Sequence, residues 1–215
     1  MKNLITFLLI VILFAGCKKD ENPTGPGFTV SYAGKTYNTV KIGEQMWLKE
    51  NLDVGTIIHG NKDQANNGVI EKYCFMNNPA YCDTFGGLYQ WNEAMQYSTT
   101  PGIRGICPPG WHIPTDTEFK ALASAIDNNS NALKATGQGI GSGTGTNISG
   151  FSAFLAGDRY DNDIFLNFGY NAFFWSSSEF DTATTKFLNL YFYDSLIYLS
   201  NNNKYFGYSV RCIKD

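Results

Sequence analysis

The chain has 215 residues, and its 16 Lys and Arg against 19 Asp and Glu leave a formal net charge of −3. That acidic balance excludes a nucleic acid or an anionic lipid surface as a partner held by charge. Aromatic residues at 15 % supply ample core material and exclude a disordered chain, while charged residues at 16 % and 22 glycines read as a folded domain with many turns and polar loops.

The first residues divide into three zones. Lys2 gives a positive start, residues 4–14 (LITFLLIVILF) form an apolar core, and Ala15-Gly16-Cys17 is a small-residue cleavage site ending in cysteine. This is the layout of a secretory signal peptide, and the run falls short of the about 20 apolar residues that a permanent membrane span needs. Phe14-Ala15-Gly16-Cys17 resembles a bacterial lipobox, with Phe14 where Leu is more usual. The resemblance implies that the signal is cut before Cys17, that the Cys17 thiol receives a diacylglycerol and that the new amine is acylated. Each buried methylene then adds about 0.8 kcal/mol of membrane affinity. Residues 17–27 are polar and rich in Pro and Gly, a spacer that lifts the domain off the bilayer. Within it, Lys19-Asp20-Glu21 is similar to the surface-export tag of Bacteroidetes lipoproteins. The expected organisation is a signal peptide at 1–16, a lipidated tether at 17–27 and one domain at 28–215. Loss of Lys2 leaves 15 basic against 19 acidic residues, a net of −4 for the mature chain.

Residues 28–52 read as strands joined by glycine turns: Val30, Tyr32, Tyr37, Val40 and Ile42 favour β structure, and Ala33-Gly34-Lys35 and Gly43-Glu44 interrupt them. Residues 53–72 are polar and turn-rich, with a turn at Asn66-Asn67-Gly68. Leu88, Trp91, Ala94 and Met95 make an apolar stripe that predicts a helix over 87–97. A second helix begins after Thr115, where Thr115-Asp116-Thr117-Glu118 is a capping box and Phe119, Leu122, Ala123 and Ile126 form the buried face; Asp127-Asn128-Asn129 ends it. The glycine-rich run 137–145 lacks the Gly-Lys-Ser/Thr ending of a phosphate loop and reads as a surface loop. Strands are expected at 151–155, 164–168, 173–176, 186–193, 196–200 and 205–213, with turns at Asp194-Ser195 and Asn201-Asn202-Asn203. Two helices followed by antiparallel strands give an α+β domain.

Besides Cys17 there are Cys74, Cys82, Cys107 and Cys212. An even number in an exported chain points to two disulfides. Three pairings are open. Cys74–Cys82 with Cys107–Cys212 is preferred, because Asn77, Asn78 and Pro79 can turn the chain back between the first pair. A zinc site is disfavoured by the absence of C-x-x-C spacing and by a total of only two histidines.

Five segments carry a resemblance to one family. They are Val40 to Leu52 (VKIGEQMWLKENL), Tyr73-Cys74 through Gly86-Gly87-Leu88-Tyr89-Gln90-Trp91, Ile106 to Thr115 (ICPPGWHIPT) with Glu118-Phe119, Phe174 to Glu179 (FWSSSE), and Gly207 to Cys212 (GYSVRC). Together they resemble the Fibrobacter succinogenes major paralogous domain of Bacteroidetes lipoproteins over residues 36–214. Phe119 stands where the family often has Trp. The Gly-Trp-His-Ile-Pro-Thr helix entry and the Ser-Val-Arg-Cys ending are similar to those of C-type-lectin-like folds, which implies two helices packed on a twisted antiparallel sheet with long loops on one side. The resemblance carries no established activity.

Candidate sites follow from residue chemistry. His112, at a helix entry, is expected to make a structural hydrogen bond, and His59 to lie in a surface loop. No Gly-x-Ser-x-Gly elbow is present, so the chain is not expected to be an enzyme. No cofactor is expected. Calcium is the one cation with a candidate site, at Asp158, Asp161 and Asp163 around Asn162, although the spacing departs from an EF-hand and a solvated turn is the plainer reading. Tyr160, Tyr170, Trp175, Tyr191, Tyr193, Tyr198 and Tyr205 crowd the C-terminal half and offer an aromatic face for sugar rings; the alternative is a core role, since strand alternation turns about half of them inward and Trp175 reads as core or semi-buried. Tyr160, Trp175 and Glu179 are the candidate ligand contacts. The expected function is a non-catalytic binding or adhesion module, lipid-anchored in the bacterial outer membrane and facing the periplasm or the cell surface, with a glycan or an envelope protein as partner. A purely structural envelope lipoprotein and a carbohydrate-active enzyme are the alternatives.

Overall fold

β-Branched and aromatic residues alternating with polar ones, punctuated by glycine turns, make a meander at the start of the domain. A computed structural model describes residues 28–215; Cys17, the expected signal peptide and the expected tether lie outside the described residues. Strands β1 (Thr29–Tyr32), β2 (Lys35–Ile42) and β3 (Gln45–Leu48) pair antiparallel in sequence. Short strands β4 (Thr56–Ile57) and β5 (Glu71–Lys72) pair parallel. Helices α1 (Pro79–Phe85) and α2 (Trp91–Ala94), strand β6 (Trp111–His112) and helix α3 (Asp116–Ala125) follow. The C-terminal half supplies β7 (Ala156–Asp161), β8 (Ile164–Phe168), β9 (Asn171–Glu179), β10 (Thr184–Tyr191), β11 (Ile197–Asn203) and β12 (Ile213–Lys214). Two five-stranded sheets result, in the orders β1-β2-β3-β12-β6 and β11-β10-β9-β7-β8. With three helices among these strands, the fold is α+β.

Strand periodicity divides the core. On β9, Phe173 and Trp175 enter one apolar cluster while Ala172 and Phe174 enter another, so both faces are buried and the strand reads as continuous burial from Asn171 to Ser177. The same alternation sends Leu48 and Cys212 to the first cluster and Trp47 and Ile213 to the second. Phe119 of α3 stacks on Trp47 at 5.9 Å between ring centres, and Phe151 meets that indole edge-on at 5.7 Å.

The capping box forms as its sequence predicts. Thr115 Oγ1 accepts from the Glu118 amide (3.2 Å), and a Glu118 carboxylate oxygen accepts from the Thr115 amide (2.7 Å). His112 makes the expected structural contacts: one ring nitrogen bonds Glu118 (2.9 Å) and the other bonds Asp215 (2.7 Å), joining the start of α3 to the strand at the end of the described chain. Asp127 and Asn128 adopt positive φ and end the helical segment.

Other expectations are corrected. The helix expected over 87–97 shrinks to the four residues of α2, because Leu88 and Tyr89 are drawn into bridges with Tyr73 and Tyr208. Gly86, at φ +83°, starts that detour where a Cβ would collide with Asn51 and the Leu52 carbonyl. All four stripe residues are nevertheless buried. Conversely, Asn78-Pro79, read as a turn, starts α1: Asn78 Oδ1 accepts from the Ala80 amide and Pro79 occupies a first-turn position that needs no donor. Residues 151–155 alternate inward but join no strand beyond a single bridge at Ala153. Asn201-Asn202-Asn203, expected as a turn, belongs to edge strand β11 and pairs with Lys186, Thr185 and Thr184. Much of 205–213 is irregular, crossing between the sheets through bridges at Gly207, Tyr208 and Ser209 before β12 begins.

Both preferred disulfides are present, Cys74–Cys82 and Cys107–Cys212. Their sequence separations, 8 and 105 residues, set very different constraints on the unfolded chain. Loop-closure entropy assigns about 2.5 kcal/mol to the short loop and about 4.7 kcal/mol to the long one. Urea unfolding of a Cys107→Ser/Cys212→Ser variant should therefore show about 2 kcal/mol greater loss of stability than a Cys74→Ser/Cys82→Ser variant. Equal losses would mean that native packing, not chain entropy, sets their worth.

Candidate functional site

The seven expected aromatic residues separate into groups with different roles. Trp175 is fully buried; its Nε1–H donates to the Tyr89 carbonyl (2.7 Å) and its ring lies 4.2 Å from that of Tyr208. It is therefore a core residue and cannot touch a ligand at the surface, because continuous burial of β9 covers both of its faces. Tyr191, Tyr193 and Tyr198 cluster near the β10–β11 turn, and Tyr170 joins them through Phe192. Tyr160 and Tyr205 stand near the other end of β10, both packed on Phe206, at 5.0 and 4.8 Å between ring centres. Each is about two-fifths exposed (42 % and 43 %), so each presents a ring face or edge to solvent over an apolar support.

Beside Tyr205 opens a groove of about 430 Å³ between the 63–64 loop, α2 and the β9–β10 turn. Asp63, Gln64, Gln90, Asn92, Tyr97, Thr182, Ala183, Asn203 and Lys204 complete its lining. The wall is built from amide pairs. Gln90 Oε1 accepts from the Gln64 amide (2.9 Å), and Gln64 Oε1 accepts from the Gln90 amide (2.7 Å). Gln90 Nε2 donates to Asp63 Oδ1 (2.7 Å) and to the Tyr205 carbonyl (3.0 Å).

Arg159 of β7 fixes this wall from below. It is almost wholly buried, and its Nε and Nη2 donate to the Gly60 carbonyl at 3.0 and 2.8 Å while Nη1 donates to the Tyr205 carbonyl at 3.1 Å. The Tyr73 ring lies 4.8 Å from the guanidinium carbon. One planar cation thus holds the loop before Asp63 and the backbone of Tyr205 in a set relation.

Glu179 belongs to the same neighbourhood. Its carboxylate pairs with the Lys204 ammonium, which also donates to the Thr182 carbonyl (3.0 Å) and sits 4.4 Å from the Trp91 ring centre. The structure therefore links Tyr160 to the groove through Phe206 and Tyr205, links Glu179 to it through Lys204, and leaves Trp175 inside. Gln64, Gln90 and Lys204 were not singled out from sequence. Their signal is only that of polar residues, and their convergence depends on bridges between distant segments. Deeper in α2, Glu93 is buried and accepts from the Glu71 amide (2.9 Å) and the Tyr97 hydroxyl (2.8 Å). Burial raises its carboxyl above the usual range, against the pull of those hydrogen bonds.

The acidic loop expected around Asp158, Asp161 and Asp163 does not exist as such. Asp158 and Asp161 belong to β7, Asp158 faces inward at 3 % exposure, and Asp163 bonds Asn77 and lies 3.5 Å from His59 Nδ1. Strand alternation separates the carboxylates, and among the described residues no group of three or more His, Cys, Asp or Glu is placed to hold a metal ion. His59 is a half-exposed loop residue, as expected. Asp158 accepts a single side-chain hydrogen bond, from Asn167 (2.7 Å), and burial pushes its carboxyl up to about 6.

The family model of the Fibrobacter succinogenes major domain matches residues 40–214, so the groove and Asp158 lie within the match. The chain belongs to that family. No curated protein and no solved structure matches it. The raised carboxyl of Asp158 has a direct consequence for stability. A proton binds it more tightly in the folded than in the unfolded chain, so its contribution is fully present below about pH 4 and is lost as pH rises through about 6. Asp158→Asn, which keeps an acceptor for Asn167, should stabilise the protein at pH 7.5 by on the order of 2–3 kcal/mol. Thermal melts at pH 7.5 and pH 4 check this, with the advantage expected to vanish at the lower pH.

Proposed function

We propose that this member of the Fibrobacter succinogenes major domain family is a non-catalytic glycan-binding module, held at the bacterial outer membrane by acyl chains on Cys17 and facing the periplasm or the cell surface. The observation that carries the reading is the groove beside Tyr205: a polar, amide-lined cleft of about 430 Å³ next to two half-exposed tyrosines that share one apolar support. Sugars need both parts. Their hydroxyls exchange hydrogen bonds with amides and carboxylates, and their C–H faces lie on aromatic rings. The groove is also pre-organised, because Arg159 and the Gln64–Gln90 pair fix its wall before any ligand arrives, which lowers the entropy cost of binding.

The polar groups around the groove favour binding over turnover. Glu179 is neutralised by Lys204, and Asp63 accepts from Gln90, so these carboxylates are engaged as fixed acceptors. The fold reading that goes with this function is C-type-lectin-like. It is supported by the way β12 returns to lie beside β3 in one sheet, by the Cys107–Cys212 bridge at that return, and by α3 packing Phe119 on Trp47. The lipid anchor is supported by the signal layout and the lipobox ending at Cys17. No helix among the described residues is long and apolar enough to cross a membrane.

A glycan array with the full chain tests the central claim. Tyr205→Ala should weaken binding to any retained glycan by about five- to tenfold, the value of one aromatic contact, while leaving the thermal midpoint nearly unchanged. Hydrolysis of an array glycan by the native chain would overturn the non-catalytic reading. Mass spectrometry of the membrane-extracted native product should find acyl chains on an N-terminal Cys17, and Cys17→Ser should release the protein from membranes. A product whose mass equals its amino acids alone would remove the anchor.

A further inference from the structure

A second cavity lies away from the groove, between the β2–β3 hairpin, the end of α1 and residues 152–154, with a volume of about 420 Å³. That is ample for a small molecule. Arg211, its most buried charged group, lines it at 1 % exposure. Glu50 is the carboxylate whose charge reaches Arg211, which makes no direct ion pair among the described residues. Its four hydrogen bonds go to neutral acceptors: Nε and Nη2 to Asn51 Oδ1 (3.0 and 2.6 Å), and Nη1 to the carbonyls of Leu48 (3.3 Å) and Phe151 (2.5 Å). A guanidinium carries five N–H groups, so one remains unused. That free donor belongs to a cation whose direct partners are all neutral, and it borders the cavity.

The charged groups of the lining are Lys35, Lys49 and Arg211 with Glu50 and Asp83. Both oxygens of Glu50 are engaged by Asn38, one by its amide and one by its side chain, each at 2.8 Å. Lys35 is tied to the buried carboxylate of Asp53. Lys49 makes no ion pair and no side-chain hydrogen bond among the described residues, and so remains available at the wall. Phe85 and Phe154, edge-to-face at 5.4 Å, provide an apolar surface in the same cavity.

We infer that this cavity is a second ligand site, which takes a small molecule carrying a carboxylate and an apolar or ring-shaped body, with Arg211 and Lys49 facing the charge and Phe85 and Phe154 the body. A carboxylate suits it because its two oxygens can take the unused Arg211 N–H and the Lys49 ammonium, charge-assisted bonds that a neutral ligand makes more weakly. Two sources share this chemistry, an acidic sugar and a peptide or amino-acid carboxylate.

Calorimetric titration of the full chain with D-galacturonate and with N-acetyl-L-phenylalanine separates the sources. At least one acid should bind, and its neutral counterpart (D-galactose or N-acetyl-L-phenylalanine amide) should bind at least about tenfold more weakly. Lys49→Gln should weaken that acid by about threefold or more without moving the thermal midpoint. This variant is the informative one, because Arg211 is too deeply packed to replace safely. Tyr205→Ala should leave acid binding intact, which keeps this site distinct from the groove. Silence with both acids, equal binding of the neutral counterparts, indifference to Lys49→Gln, or loss on Tyr205→Ala would each overturn the inference.

Discussion

The structure depends on one buried arginine. Arg211 lies among four segments far apart in sequence and gives each a hydrogen bond, a ring contact or a shared neighbour. It donates to Leu48 at the end of β3, to Asn51 just beyond it and to Phe151, and its guanidinium carbon sits 4.4 Å from the Phe151 ring centre and 5.4 Å from that of Phe174 on β9. Asn51, held by two of these bonds, passes the connection on: its Nδ2 donates to the Phe85 carbonyl at the end of α1 (2.8 Å) and to the Ser209 hydroxyl (3.2 Å). Burial lowers the guanidinium to about 9, yet it stays charged at neutral pH. A hydrophobic replacement would leave three buried acceptors without their donor, each a loss of about 1–3 kcal/mol.

Arg159 repeats the device on the other side of the molecule. There a nearly buried guanidinium gives most of its hydrogen bonds to main-chain carbonyls, Gly60 and Tyr205, and reaches the Asp63 carboxylate at 3.5 Å, with a tyrosine ring near its face. The two arginines act as backbone clamps for loops that own little regular structure. This explains how a domain with long irregular stretches at 58–70 and 204–212 holds a shaped groove. A lysine would serve poorly in either place, because a single ammonium cannot present a planar fork to several acceptors at once. Lys134 shows the lesser version: its buried ammonium donates to the Tyr191 and Asp194 carbonyls and steadies one turn, and burial lowers it to about 8.

What could be read from sequence was local. The capping box at Thr115–Glu118, the hairpins of β1 to β3 and the Cys74–Cys82 loop follow from short-range chemistry, while Cys107–Cys212 follows from the pairing of the two cysteines left over, and the structure contains them all. The misreadings share a cause, which is that tertiary pairing overrode local pattern. The stripe Leu88–Met95 fits a helix, but its first residues pair with Tyr73 and Tyr208, segments that no window around them contains. Asn201–Asn203 looks like a turn, yet β10 offers a polar edge on which three asparagines pair comfortably. Asp158 looks solvated because its neighbours are polar, and only the closing of β7 on β8 and β9 buries it. For the site, Tyr160 and Glu179 could be named because aromatic and acidic residues stand out. Trp175 stands out for the same reason, and of its two readings, ligand contact and core, the structure contains the second, since a sequence shows that a ring is present and not which way it faces.

The order of the first sheet also bears on how the chain can assemble. β12 lies between β3 and β6, so residue 213 must arrive before residues 47 and 112 acquire their common neighbour. Cys107 likewise waits for Cys212, and the Leu48 and Asn51 acceptors wait for Arg211. During vectorial synthesis or translocation, the meander of β1 to β3 therefore emerges with an open flank and a lone thiol downstream of it. Completion is postponed until the last stretch of the domain has been delivered. The first sheet and its covalent cross-link thus share one requirement, the arrival of residues 211–213.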